Sequence, residues 1–282
     1  MEPMDLTFFT LAGDRLLPTP LARSMWKDDQ MHGVALSGAL ARAAEHCLAD
    51  VGRGDLHPAR WTVDLFRPAS MEPCELTAEV VREGPRICLV DVLLKQHGRR
   101  VARASATFLK QTRSAPGQVW SPEDRPVPPG ESDVPPSDGP RVPFFHSEDT
   151  GWSQSFGEHQ NASRKRTWQT GMPVVAGETP TPFQAVASIA DATSMVTNWG
   201  TNGVEYINTD ITLAIARPAV GLEVGLVTAD RIEHDGVAVG TATVLDRAGV
   251  LGTSMVTSLA NAKRVVDFRN VEYTDDGQRR RV

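Results

Sequence analysis

Cysteine is scarce in this sequence. Cys47, Cys74 and Cys88 are the only three in 282 residues, none stands in a CxxC spacing, and each lies inside an apolar periodic segment. That excludes a disulfide framework and a cysteine-ligated zinc site, and a reducing cytoplasm is the expected compartment. The seven histidines are scattered with no HxxxH pair, so neither a protein-bound metal nor another cofactor is expected. The 35 acidic and 29 basic residues are interspersed rather than blocked, for a net charge of −6, which argues against nucleic acid as the main partner. No apolar run approaches a membrane span. The opening MEPMDLTFFTLAGDR lacks the basic-then-apolar order of a secretory signal. With 40% hydrophobic residues over this length, one or two domains with real cores are expected.

An internal repeat is present. LFRPA, with Arg67, Pro68 and Ala69, returns as IARPA, with Arg217, Pro218 and Ala219, an offset of 217 − 67 = 150. Setting 61–110 against 211–260 without a gap gives eight identities, among them Thr62/Thr212, Leu76/Leu226, Glu83/Glu233 and Thr107/Thr257. The pattern of elements repeats as well. ELTAEVVRE, ICLVDVLLKQ and RVARASATFLK read as long strands parted by turn signals at GPR and HGR; EVGLVTADRIE, VAVGTATVLD and VLGTSMVTSLA follow the same plan around HDG and RAG.

Each half carries a long helix ahead of these strands. From Gly33, apolar residues at Leu36, Ala39, Leu40, Ala43, Cys47 and Leu48 recur at three and four, with Gly52 as the stop. The partner helix is predicted from Thr181 as N-cap and Pro182 in the first turn to Gly200. The pattern predicts an α+β protein of two tandem halves, each one long helix wrapped by an antiparallel sheet, with the sheets joined edge to edge. The expected organisation is 1–110 for the first half, 111–142 for a Pro/Gly-rich linker, 143–265 for the second half and 266–282 for a polar C-terminal tail.

Read as chemistry, Asp191 lies on the flank of the stripe formed by Phe183, Val186, Ala187 and Ala190, at an edge or inside a pocket. Asn208 begins a strand-like run, and its amide both donates and accepts. His32 stands where the first helix begins, with no Ser, Cys or carboxylate placed by sequence to form a triad with it.

Several stretches together resemble the TesB-like acyl-CoA thioesterases, in the actinobacterial-type double hot-dog branch. They are GDRLLPTPLARSMW followed by HGV, VDLFRPA, GQVWSPEDRPVPP, MPVVAGETPTPFQAVASIADATS and YINTDITLAIARPAVG, and they run from about residue 8 to about residue 262. The resemblance implies a double hot-dog fold, an acyl-CoA substrate and a hydrolytic site shared between the halves. In that family the helix of one half presents its first amides to the thioester carbonyl, and the other half holds a water with an Asp, a Thr or Asn, and a Gln. Those positions fall on Asp191, Asn208 and Thr257, so Thr stands where the Gln is usual. The helix start is His32, Gly33 and Val34, where a second glycine is usual. The resemblance thus implies Asp191 as base, Asn208 and Thr257 as water-positioning groups, and the amides at Gly33 and Val34 as oxyanion donors, with His32 at the helix start.

Carrying the 150 offset back sets Asp191 opposite Ala41 and Asn208 opposite Pro58, which predicts one site, with the mirror place lacking a base. The alternative is a non-catalytic acyl-CoA or acyl-lipid binding module. A hot-dog hydratase fits less well, because 181–200 contains no His. Arg67, Arg217 and the run Arg164, Lys165, Arg166 are the open candidates for coenzyme A phosphates, and a homodimer or higher homo-oligomer is a further expectation.

Overall fold

The computed structural model describes residues 6–261, 263–269, 271–273 and 279–281. One 12-stranded antiparallel sheet carries the fold. Its strands are β1 (His57–Leu65), β2 (Glu75–Gly84), β3 (Ile87–Gln96), β4 (Arg99–Leu109), β5 (Phe144–Ser147), β6 (Gly151–Ser153), β7 (Arg166–Thr170), β8 (Tyr206–Asn208), β9 (Asp210–Ile215), β10 (Glu223–His234), β11 (Val237–Asp246) and β12 (Gly249–Ala260). The order is β2-β3-β4-β1-β9-β12-β11-β10-β7-β5-β6, with β8 also paired to β12. Alternation along the strands is the physical cause: in β3 every second residue from Cys88 is buried, as a sheet covered on one face requires.

The 150 offset is written into the hydrogen-bond register. Leu76 pairs with Leu94 and Leu226 with Val244; Ile87 pairs with Leu109 and Val237 with Leu259. Even the bulge after Leu94 returns after Val244. The halves join where Thr62 faces Thr212 across β1 and β9, two positions that are themselves 150 apart. A pseudo-twofold axis therefore passes through that pair.

The same axis runs between the helices. In α1 (Gly33–Asp50), Leu36, Ala39, Leu40 and Ala44 are buried, and Gly52 closes the helix at φ +71, the left-handed conformation glycine adopts without steric cost. The second helix starts as expected, with Thr181 accepting from the Gln184 amide. It is not continuous to Gly200. It breaks into α2 (Pro182–Ile189), a 3-10 turn over Ala190–Ala192 and α3 (Thr193–Asn198). Around the break Thr193 Oγ1 donates to Ser254 Oγ at 2.8 Å and Thr197 Oγ1 back-bonds to Thr193 O at 2.7 Å, local bonds that compete with helical geometry. The helices cross where Ser37 Oγ donates to Ala187 O at 2.6 Å, again 150 residues apart. Both lie in one hydrophobic core with residues of both sheet halves.

Two features depart from the repeat. β5 and β6 extend the second half's edge beyond β7, whereas in the first half the equivalent edge pairing is a single bridge, Leu16 with Cys74. The C-terminal segment expected to be polar from residue 266 begins as an anchor instead: Val266 and Phe268 are buried against Phe145, Phe156 and Trp199. Two apolar residues outweigh the charges around them, because burying each stabilises by roughly 1.5–3 kcal/mol.

Residues 110–143 contain no helix or strand, yet they are not uniformly loose. Val134 is buried with Trp168, Val227 and Leu245 on the outer sheet face. Arg247 donates to Pro129 O at 3.0 Å and Val134 O at 2.8 Å, and Glu223 accepts from both Arg141 and Arg247. By contrast, 111–125 is exposed throughout. Trypsin is therefore expected to cut first after Arg113, since Arg125 is followed by Pro126, and to spare the bond after Arg141; early cleavage at Arg141 would contradict this arrangement.

Candidate active site

A helix leaves its first amides without intrahelical partners, and at α1 each of the first three has a different fate. His32, the N-cap residue, accepts from the Ala35 amide through Nδ1 at 3.0 Å. Its Nε2 lies 2.9 Å from Leu21 O, a pure acceptor, so Nε2 carries the proton and the ring is neutral. Burial holds its pKa below the ordinary histidine value. With both nitrogens engaged, His32 orders the helix start and has no lone pair left for a water. The Val34 amide donates to the carboxylate of Asp191. That leaves the Gly33 amide without a partner among the described residues.

Asp191 reaches this point because it sits in the 3-10 turn between α2 and α3, facing α1 of the other half. Asn208 Nδ2 donates to Asp191 Oδ1 at 2.9 Å. Desolvation raises the carboxyl's pKa to about 6, and the bonds from Asn208 and Val34 oppose that rise. The approach depends on Gly33 lacking a side chain, since a Cβ there would overlap the carboxylate. The cluster thus unites Gly33, Val34, Asp191 and Asn208. The Val34 amide lies against the Asp191 carboxylate and lowers its pKa against the larger rise from desolvation.

Thr257 is not part of the cluster. Asn208 lies directly opposite Ser258 in the β8/β12 ladder, and successive side chains of a strand point to opposite faces. Ser258 is buried beneath α3, while Thr257 faces outward, its amide donating to Asp210 Oδ1 at 2.6 Å and its Oγ1 to Asp210 Oδ2 at 3.3 Å. A shift of one residue along a strand moves a side chain to the other face, so it is Ser258 and not Thr257 that shares the inner face with Asn208.

The mirror place also differs from expectation. Ala41 is fully buried and Pro58 stands opposite Phe108 as Asn208 does opposite Ser258, so both predicted counterparts are nonpolar. Nevertheless a carboxylate is present one helical turn on. Glu45 accepts from Thr181 Oγ1 at 2.8 Å and from Gln184 Nε2 at 2.8 Å, and desolvation raises its pKa. No sequence signal singles out Glu45 among the helix glutamates.

Of the phosphate candidates, Arg217 is held by Asp246 at 2.6 and 2.8 Å. Lys165 is buried with its Nζ donating to Asn161 O, Asn161 Oδ1 and Ser163 O, and Arg164 donates to Ala229 O. Among the described residues no group of three His, Cys, Asp or Glu could hold a metal ion, and no helix is long and apolar enough to cross a membrane.

The fold has known counterparts. A TesB protein of Mycobacterium avium subspecies paratuberculosis superposes with TM-score 0.62 at 15% identity, over 89% of this chain and 95% of its own. An acyl-CoA thioesterase II of Mycobacterium marinum gives 0.57 at 15%, over 89% and 93%. A hot-dog-fold protein of unknown function from Alicyclobacillus acidocaldarius gives 0.61 at 17%, over 91% and 96%. At these identities the likeness is one of fold. No curated protein sequence matches significantly. Family models do match: the acyl-CoA thioesterase N-terminal domain covers residues 22–109 and the C-terminal domain covers 121–259. By these two matches, which together take in most of the sequence, the chain belongs to the acyl-CoA thioesterase family.

Proposed function

We infer that the protein hydrolyses acyl-CoA thioesters at a single site between its halves. The observation that carries this reading is a carboxylate with a pKa near 6 resting on the glycine that starts the other half's helix. A base poised near the working pH is the arrangement general-base catalysis favours. Asp191 takes a proton from a water as the water oxygen attacks the thioester carbon. The carbonyl oxygen becomes an oxyanion, which the Gly33 amide and the positive end of α1 stabilise. Collapse of the tetrahedral species breaks the carbon–sulfur bond, and Asp191 returns its proton to the departing thiolate. The products are a carboxylic acid and coenzyme A. Asn208 keeps one carboxylate oxygen engaged, which leaves the other to face the water.

The mirror place is built differently. Pro182, at the first helical position, has no amide hydrogen, the Gln184 amide is taken by Thr181 at 3.1 Å, and Glu45 accepts from the Thr181 and Gln184 side chains. Every group invoked belongs to one chain, so assembly into a homodimer or larger oligomer is not needed for the site. Free Cys47, Cys74 and Cys88 accord with a cytoplasmic enzyme.

Asp191→Ala is expected to lower acyl-CoA turnover by a factor on the order of 100 or more, the usual scale for a positioned base, while Glu45→Gln stays within a few-fold of the parent. Full activity in Asp191→Ala would overturn the assignment, and tight acyl-CoA binding without turnover in the parent protein would favour a binding module. Stability provides a second check. A carboxyl whose folded pKa of about 6 exceeds its ordinary 3.8 favours the folded state only while protonated. That contribution is complete below pH 3.8 and is lost as pH rises through 6. Asp191→Asn should therefore melt above the parent at pH 8, with the gap closing toward pH 4; a lower Tm at pH 8 would contradict the buried-carboxylate account.

A further inference from the structure

Beyond Asn208 the inner face of β8 continues to Tyr206, two residues along and so roughly 7 Å away. The guanidinium of Arg231, from β10, lies over the Tyr206 ring with Cζ 4.8 Å from its centroid. Arg231 Nε donates to Asn198 Oδ1 at 3.1 Å. Asn198, buried at the end of α3, is itself fixed: its Nδ2 donates to Ser194 O at 3.1 Å and to Ser258 Oγ at 3.3 Å. Gly240, the ladder partner of Arg231, lets α3 close onto the sheet, since a Cβ there would overlap Thr197. Arg231 is thus held by one nitrogen and one ring face while its side chain remains at the surface. Its two terminal nitrogens form no bond among the described residues. Neither neighbouring acid bonds the guanidinium: Asp230 Oδ1 accepts from the Arg231 amide at 2.7 Å, and Glu233 Oε1 accepts from the Gly236 amide at 3.0 Å. A guanidinium oriented in this way offers a preformed fork for a phosphate or carboxylate.

The pseudo-twofold provides an independent observation. The counterparts of Asn198 and Tyr206 are Leu48 and Leu56, both buried. Opposite Val90, the counterpart of Gly240, stands Val80. The first half closes this place with aliphatic side chains, so the polar platform exists only on the side that carries Asp191 and Asn208.

We propose that Arg231, stacked on Tyr206 and anchored by Asn198, binds an oxyanion of the thioester substrate remote from the scissile carbonyl. The oxyanion is a phosphate of the coenzyme A portion or a carboxylate that ends the acyl chain. This rests on Asp191 marking the reacting carbonyl, but its test does not require turnover. Dissociation constants are measured by calorimetry for the parent, Arg231→Gln and Arg231→Lys with four non-hydrolysable thioethers: S-hexyl-coenzyme A, its ω-carboxy analogue, and the N-acetylcysteamine counterparts of both. If the oxyanion is phosphate, Arg231→Gln weakens both coenzyme A probes tenfold or more, the scale of a lost charge-assisted pair, and spares the truncated ones. If it is the carboxylate, only the ω-carboxy probes weaken, with or without the nucleotide. Arg231→Lys, which keeps the charge but not the fork, falls between. Equal affinities across parent and variants would overturn the proposal. So would weakening that includes S-hexyl-N-acetylcysteamine, which carries no oxyanion and would report a structural role.

Discussion

The contact between the Asp191 carboxylate and the first turn of α1 is the interaction on which the rest of this structure depends. It needs a glycine at position 33, because any side chain would displace the carboxylate. It needs the second helix to tighten into a 3-10 turn at 190–192, which brings Asp191 toward the opposite half. And it needs His32 to take the Ala35 amide, so that the unpaired donors of the helix are those of Gly33 and Val34. Removing a carboxylate from water is unfavourable unless hydrogen bonds compensate, and here Val34 and Asn208 do so incompletely. The result is a carboxylate with a pKa near 6, held at some cost to folding, the relation expected if it serves as the proposed base.

The pseudo-twofold explains both the economy of the fold and its asymmetry. The same ladder register, the same bulge and the same helix crossing recur at 150 residues, so the backbone provides two equivalent places. Side-chain chemistry then distinguishes them. One place holds Asp191, Asn208, Tyr206 and Asn198; its mirror holds Ala41, Pro58, Leu56 and Leu48. Glu45 enters the mirror place from a different turn and is spent on joining α1 to α2 through Thr181 and Gln184. An inter-helix clamp of this kind gives the second helix a fixed start at Thr181, from which the position of Asp191 follows ten residues later.

Much of this was legible in the sequence, because it rests on periodicity. The strands of both halves, the helix starts at His32 and Thr181, and the 150 offset all follow from spacing and local turn chemistry. The family motif singles out Asp191 and Asn208, and the fold brings the two side chains into hydrogen-bond contact. Features set by single-residue register or by tertiary approach were not legible. Thr257 was placed one residue from the inward-facing Ser258, a distinction that requires the ladder. The break in the second helix arises from bonds to Ser254 on a distant strand, and the burial of Val266 and Phe268 arises from aromatic neighbours more than 60 residues away. Glu45 carries no mark in one dimension that separates it from any exposed helix glutamate.

The central claim is that Asp191 acts ionised against the amide end of α1, with burial holding its pKa near 6. The pH dependence of kcat/KM for acyl-CoA hydrolysis tests this most directly. The account predicts a rate that is flat above about pH 7 and falls tenfold per unit below a single ionisation near pH 6. A rate constant between pH 5 and pH 8, or one that rises as the pH falls, would contradict it.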